Sequence, residues 1–101
     1  MATVENYSLL VYGSPSGYQT NRAQIQLRGA GGTVLAWLRF NDPGQFFEED
    51  YVSGDIIRMH LPSSMLPSVL DVLRNESPVF IYFAAGRAFF GTADEPIGEA
   101  E

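Results

Sequence analysis

Residues 22–40 read RAQIQLRGAGGTVLAWLRF, and this stretch decides the fold. Its first seven residues alternate polar and apolar side chains, with Ala23, Ile25 and Leu27 on the apolar side. That period of two is expected of a half-buried β-strand. Gly29-Ala30-Gly31-Gly32 then supplies residues that tolerate positive φ, and the run from 33 to 40 places Val34, Ala36, Leu38 and Phe40 on one face of a further strand. The stretch therefore predicts a tight antiparallel hairpin.

The rest of the chain extends this hairpin into an α+β fold. Further strands are predicted at 4–12, 56–61, 79–84 and 88–92, and a loop at 45–54. Apolar residues recur at helical spacing from Met65 to Leu73, which predicts the one helix. The element order β-β-β-β-α-β-β indicates a strongly curved, mostly antiparallel sheet of about six strands, with a half-open barrel as one form it can take.

The composition excludes several kinds of catalytic site. The 101 residues include no cysteine, one histidine and six positive charges that are all arginine. Lysine Schiff bases, thiol nucleophiles, cysteine-built zinc sites and multi-histidine metal clusters are therefore impossible. No cofactor is predicted.

Charge and hydropathy limit the partners and the location. A net charge of -6 and arginines that are spread along the chain argue against nucleic acid, because a phosphate backbone is bound mainly through basic side chains. No apolar run reaches the roughly 18 residues that a membrane helix needs. We expect a cytoplasmic protein. An acidic, lysine-free surface also fits a halophile's habitat, and high-GC codon usage explains it equally well.

The length predicts one domain over residues 1–101, with an acidic, flexible tail at 93–101. The segment Leu73-Arg74-Asn75-Glu76-Ser77-Pro78-Val79, with Glu95-Pro96-Ile97-Gly98-Glu99 near the end, resembles the C-terminal part of a group of short bacterial hypothetical proteins. In that group the last motif carries valine where this chain has Ile97. The resemblance implies a small folded domain and no particular activity.

His60 is the one side chain suited to proton transfer near neutral pH. It lies on the polar side of the predicted strand 56–61, and no partner carboxylate is identifiable from spacing, so a solvent-facing strand histidine is the expected role. The acidic run Glu48, Glu49 and Asp50 could hold a hard cation, but it lacks the spacing of a calcium-binding loop, and a solvated cluster is favoured.

Aromatic residues are the strongest signal for binding. Trp37 lies on the strand face opposite Ala36 and Leu38, so both faces of that strand carry apolar bulk. Phe46 and Phe47 adjoin the acidic run, and Tyr51 follows it. Together with Arg39 these residues predict a surface for a protein partner or for a second copy in a homodimer. The alternative is a small-molecule-binding protein or a carboxylate-driven hydrolase with a pocket near His60.

Overall fold

The computed structural model describes residues 2–14, 21–44 and 48–92. Within these ranges the elements in chain order are β1 (Ala2–Thr3), β2 (Asn6–Val11), β3 (Asn21–Arg28), β4 (Val34–Asn41), β5 (Tyr51–Ser53), β6 (Ile56–Pro62), α1 (Leu66–Asn75), β7 (Val79–Ala84) and β8 (Arg87–Thr92). The α+β class with one helix is confirmed. The predicted tail at 93–101 and the aromatic pair Phe46 and Phe47 lie outside the described residues.

The strands form two sheets, whereas the sequence pattern placed them in one. A five-stranded sheet has the order β2-β3-β4-β6-β5, and a three-stranded sheet has the order β1-β7-β8. All neighbours are antiparallel except β4 and β6, which run parallel. No closed barrel is formed by the described strands. The predicted loop at 45–54 contains β5, a short edge strand.

The predicted hairpin of β3 and β4 forms the centre of the larger sheet. Its register pairs Ile25 with Leu38 and Ala23 with Phe40, as the alternation predicts. The inward side chains of both strands are completely buried: Ala23, Ile25, Leu27, Ala36, Leu38 and Phe40. Val69 from α1 and Ile81 from β7 complete this core. The helix and the small sheet therefore both cover the inner face of the five-stranded sheet, and the opposite face is the outer face.

Two hairpins close through two-residue turns in which both residues have positive φ. Gly54 (φ 59°) and Asp55 (φ 66°) join β5 to β6, and Ala85 (φ 54°) and Gly86 (φ 80°) join β7 to β8. This is the type I′ geometry, whose twist matches that of the flanking strands. The predicted last hairpin is thus confirmed. Among the described residues, no helix is long and apolar enough to cross a lipid bilayer.

Candidate functional site

The outer face of the five-stranded sheet brings together four of the residues predicted from sequence. Residues paired in register point their side chains to the same side of a sheet. Trp37 pairs with Arg58, which also pairs with Tyr51, and Arg39 pairs with His60. Trp37, Arg39, Tyr51 and His60 therefore share one face, and Arg58, which sequence reasoning did not single out, lies between two of them.

Glutamine side chains continue this face toward β2. Gln26 pairs with Trp37, and Gln24 pairs with Arg39. Both glutamines lie on the polar side of β3, where the alternation predicted them. The outer face is thus polar on β3 and cationic and aromatic on β4 and β6.

His60 is buried within this face. Its side chain is only 3% exposed, and the ring of Tyr51 stacks on it with 6.0 Å between ring centroids. Neither ring nitrogen has a hydrogen-bond partner. The expected solvent-facing histidine is therefore not what the structure shows, because the imidazole is buried beneath the stacked ring of Tyr51.

Burial is the main cause that lowers the pKa of His60 below its ordinary value, and the positive charge of Arg39 lowers it further. Glu48 and Asp50 act in the opposite direction without overcoming burial. The imidazole is accordingly neutral at pH 7. A neutral, buried imidazole is poorly placed to exchange protons with water.

Asp50 connects the two sheets. Its Oδ1 accepts a hydrogen bond from the backbone N–H of His60 at 2.8 Å, and its Oδ2 accepts one from the backbone N–H of Ala88 at 3.0 Å. The pairing of β5 with β6 ends at Arg58, two residues before His60. The carboxylate of Asp50 therefore accepts the backbone N–H of His60 at a point where β5 no longer pairs with β6. Both carboxylate oxygens are therefore engaged in structure.

The contacts of Asp50 count against the alternative prediction of a carboxylate-driven hydrolase with a pocket near His60. The Nδ1 atom of His60 lies 3.7 Å from Oδ1 of Asp50, which is longer than a hydrogen bond. Glu48 and Glu49 are exposed. Within the described ranges no three acidic or histidine side chains come close enough to hold a metal ion. The arrangement favours a structural role for Asp50 over orientation of a catalytic base.

Arg22 and Arg28 are satisfied by neighbouring groups. Nε of Arg22 donates to Asp42 at 2.8 Å, and Nε of Arg28 donates to Asn6 at 2.7 Å. Hydrogen bonds from Ser63 and then Arg22 lower the pKa of Asp42 below its ordinary value. These two arginines therefore stabilise loops and strand ends of the chain itself.

Arg39 and Arg58 differ from them. The Nε atom of each is buried and has no hydrogen-bond partner, and no carboxylate in the described part of the chain forms an ion pair with either guanidinium. Buried polar groups in native proteins are nearly always paired, so two adjacent exceptions on one face require an explanation.

A second feature is the edge formed by β2, which has β3 as its single partner strand within residues 2–14, 21–44 and 48–92 and is called the free edge below. This strand is the last in its sheet, and three successive apolar side chains on it are exposed by 37%, 54% and 55%: Leu9, Leu10 and Val11. The sequence pattern identified the strand, but its exposure depends on strand order, which the pattern does not contain.

The backbone of β2 shows which groups the edge offers. The N–H of Tyr12 donates to the carbonyl of Arg22 at 2.8 Å. Because antiparallel strands alternate the direction of their hydrogen-bonding groups, every second residue counted back from Tyr12 faces β3. The alternate residues direct their backbone N–H and C=O groups to the side of β2 that faces away from β3: Val11, Leu9 and Tyr7.

Two further surfaces are less distinctive. Tyr82 and Phe89 stack with 4.9 Å between ring centroids on the exposed side of the small sheet. A cleft of about 400 Å³ lies between the start of β2 and the end of α1, lined by residues that include Tyr7, Leu73 and Glu76 and do not include His60.

Scans against protein-family models, curated proteins and solved structures find no significant match to this chain.

Proposed function

We propose that this chain is a non-catalytic assembly module that forms a homodimer by antiparallel pairing of β2 with β2 of a second copy. The observation that carries the proposal is the free edge described above, where exposed apolar side chains accompany outward-pointing backbone groups. Such an edge is a template for another extended chain, because main-chain hydrogen bonds supply affinity without a preformed pocket.

The geometry of β2 selects one register. A symmetric dimer needs the same surface from both copies, and an antiparallel strand pair meets this condition. Placing the two-fold axis at Leu9 pairs Leu9 with its equivalent and Tyr7 with Val11 of the other copy. All three outward-pointing residues then exchange hydrogen bonds, which registers centred on Ser8 or Leu10 do not achieve within the strand.

Charge and composition favour a second copy of β2 as the occupant. The strand and Tyr12 after it contain no charged residue and no proline. In natural proteins the edge strand of a sheet usually contains a lysine, a proline or a β-bulge, which prevents it from pairing with a strand of another chain. In the proposed register the nearest charge, Glu5, lies opposite Gly13 of the other copy, so no like charges meet.

The other sheet edges are better protected, which distinguishes β2 from them. β5 has three residues and β1 has two. On β8 the N–H of Ala88 is already bonded to Asp50. Among the described strands β2 is therefore the edge with the most unpaired backbone.

The buried, neutral state of His60 and the structural engagement of Asp50 support a non-catalytic role. In the surface predicted around Trp37, Arg39 and Tyr51 the first two residues are half-buried and Tyr51 is 39% exposed, and the surface is cationic, so it is less suited than β2 to apolar self-association.

The proposal predicts a dimer that Val11→Pro weakens. Proline removes the N–H that would donate to Tyr7 of the other copy, while the intramolecular ladder loses nothing because this N–H points away from β3. By symmetry two hydrogen bonds are lost, and at about 1 kcal/mol each the dissociation constant rises roughly 30-fold. Sedimentation equilibrium over a range of concentrations measures it.

Val11→Ala is the matched control, because it trims the same side chain and keeps the N–H. Wild type should approach twice the chain mass of 11.1 kDa, and Val11→Ala should stay close to wild type. A wild-type chain that remains monomeric at millimolar concentration, or a Val11→Pro variant that associates as tightly as Val11→Ala, would contradict the proposal.

A further inference from the structure

We propose that Arg39 and Arg58 on the outer face bind the phosphate group of a small molecule, with Trp37 and Tyr51 flanking it. The site is independent of dimerisation, because its residues lie on β4, β5 and β6 and the proposed interface lies on β2.

The register brings the two guanidinium groups to one place. Arg58 lies beside Trp37 across the β4–β6 ladder, and Arg39 is two residues after Trp37 on the same face. Cross-strand neighbours of this kind have Cβ atoms about 5 Å apart, and diagonal neighbours about 7–8 Å. Two long side chains at that spacing can converge on one anion.

Burial makes the two arginines unlike ordinary surface residues. The Nε atom of each is removed from solvent and lacks a hydrogen-bond acceptor, whereas Arg22 and Arg28 find acceptors within the chain. Both side chains are half-buried, and a buried N–H without an acceptor is costly, so an anion that draws these guanidinium groups into hydrogen bonds lowers that cost. The pair is therefore preorganised for an anionic ligand.

The chain's own carboxylates do not fill this role. Asp50, the residue before β5, already accepts two backbone hydrogen bonds. The chain has 12 acidic residues, yet none that the structure describes pairs with Arg39 or Arg58. In so acidic a protein, two neighbouring arginines whose buried Nε atoms lack any acceptor point to a ligand from outside.

Phosphate suits the pair better than other anions do. Each guanidinium group offers paired N–H donors whose spacing matches that of phosphate oxygens. A phosphate monoester carries nearly two negative charges, and it has enough acceptor oxygens to bind two guanidinium groups at once. The net charge of -6 disfavours a polyanion, which supports a small molecule over nucleic acid.

His60 makes the site sensitive to pH. Arg39, Arg58 and Tyr51 are its neighbours on the sheet face, and Glu48 and Asp50 act on it from the turn before β5. A bound phosphate adds negative charge to these surroundings and favours the imidazolium form. Binding should therefore raise the pKa of His60 and be tighter when His60 is protonated.

Two unique reporters make the test direct. His60 is the one histidine and Trp37 the one tryptophan of the chain, so the imidazole NMR resonance and the indole fluorescence each report one residue at the site. Inorganic phosphate is titrated into the full chain, with acetate and chloride at equal ionic strength as comparison anions. The same titrations are run on Arg39→Gln and Arg58→Gln, and on Arg74→Gln as matched control.

Arg74 is an exposed arginine in the last turn of α1, which packs on the opposite face of the sheet. We expect phosphate, more than acetate or chloride, to change both signals and to raise the pKa of His60. Affinity should fall at least about tenfold in Arg39→Gln and in Arg58→Gln and stay unchanged in Arg74→Gln. Equal responses to all three anions, or equal phosphate affinity in all four proteins, would overturn the proposal.

Discussion

Phe40→Ala is expected to lower the free energy of unfolding by about 3–5 kcal/mol, the usual cost of removing a buried aromatic ring. Phe40 is completely buried, and its register partners Ala23 and Leu61 are buried too, so the cavity has few ways to collapse. A domain of this size has about 5–15 kcal/mol of stability in total, so the variant should unfold at a much lower temperature or fail to fold.

Phe89→Ala is the matched control for this prediction. Phe89 is 37% exposed and stacks on Tyr82 outside the core, so its loss should cost only about 1–2 kcal/mol. Urea denaturation at one fixed protein concentration compares the variants, because dimerisation adds to apparent stability. Equal losses in the two variants would show that Phe40 does not occupy the centre of the core.

Charged substitutions at Leu9 are expected to abolish the homodimer when each variant is alone and to restore a dimer when two variants of opposite charge are mixed. In the proposed register the two copies of Leu9 lie opposite each other across the two-fold axis. Leu9→Lys or Leu9→Glu alone places like charges face to face, which destabilises the strand pair. Each variant should therefore be monomeric where the wild type is dimeric.

A mixture of the two variants should recover the dimer, because lysine then faces glutamate. Leu9 is 37% exposed, which leaves room for either charged end to reach water. Native mass spectrometry distinguishes the mixed dimer from each homodimer by mass. The absence of a mixed dimer, with both variants folded, would argue against an interface centred on Leu9.

Sequence reasoning succeeded where local periodicity determines structure. The alternation in 22–28 and 33–40 predicted β3, β4 and the inward side chains, because a period of two leaves one face for the core. The two β-prone runs on either side of Ala85-Gly86-Arg87 likewise predicted the last hairpin. Trp37 was placed correctly on the outer face by the same alternation.

Pairings between distant segments could not be predicted in the same way. The parallel neighbour of β4 is β6, and nothing in the local pattern of either strand specifies that partner. The division into two sheets and the bridge from Asp50 to Ala88 depend on the same long-range arrangement. This is why His60, predicted to face solvent, is buried, and why Arg58 was not identified as part of the site.

The exposure of Leu9, Leu10 and Val11 has the same origin. An apolar run normally predicts a buried strand, and here the run is exposed because β2 ends the sheet order. Hydrophobicity that the monomer does not bury is the reason for expecting a partner strand.

Amide hydrogen exchange along β2, measured by NMR at low and high protein concentration, tests the central claim most directly. The amides of Tyr7, Leu9 and Val11 should exchange rapidly in dilute solution and become protected as concentration rises. The amides of Ser8 and Leu10, which face β3, should be protected at both concentrations. Rapid exchange of Leu9 and Val11 at every concentration would contradict assembly through this edge.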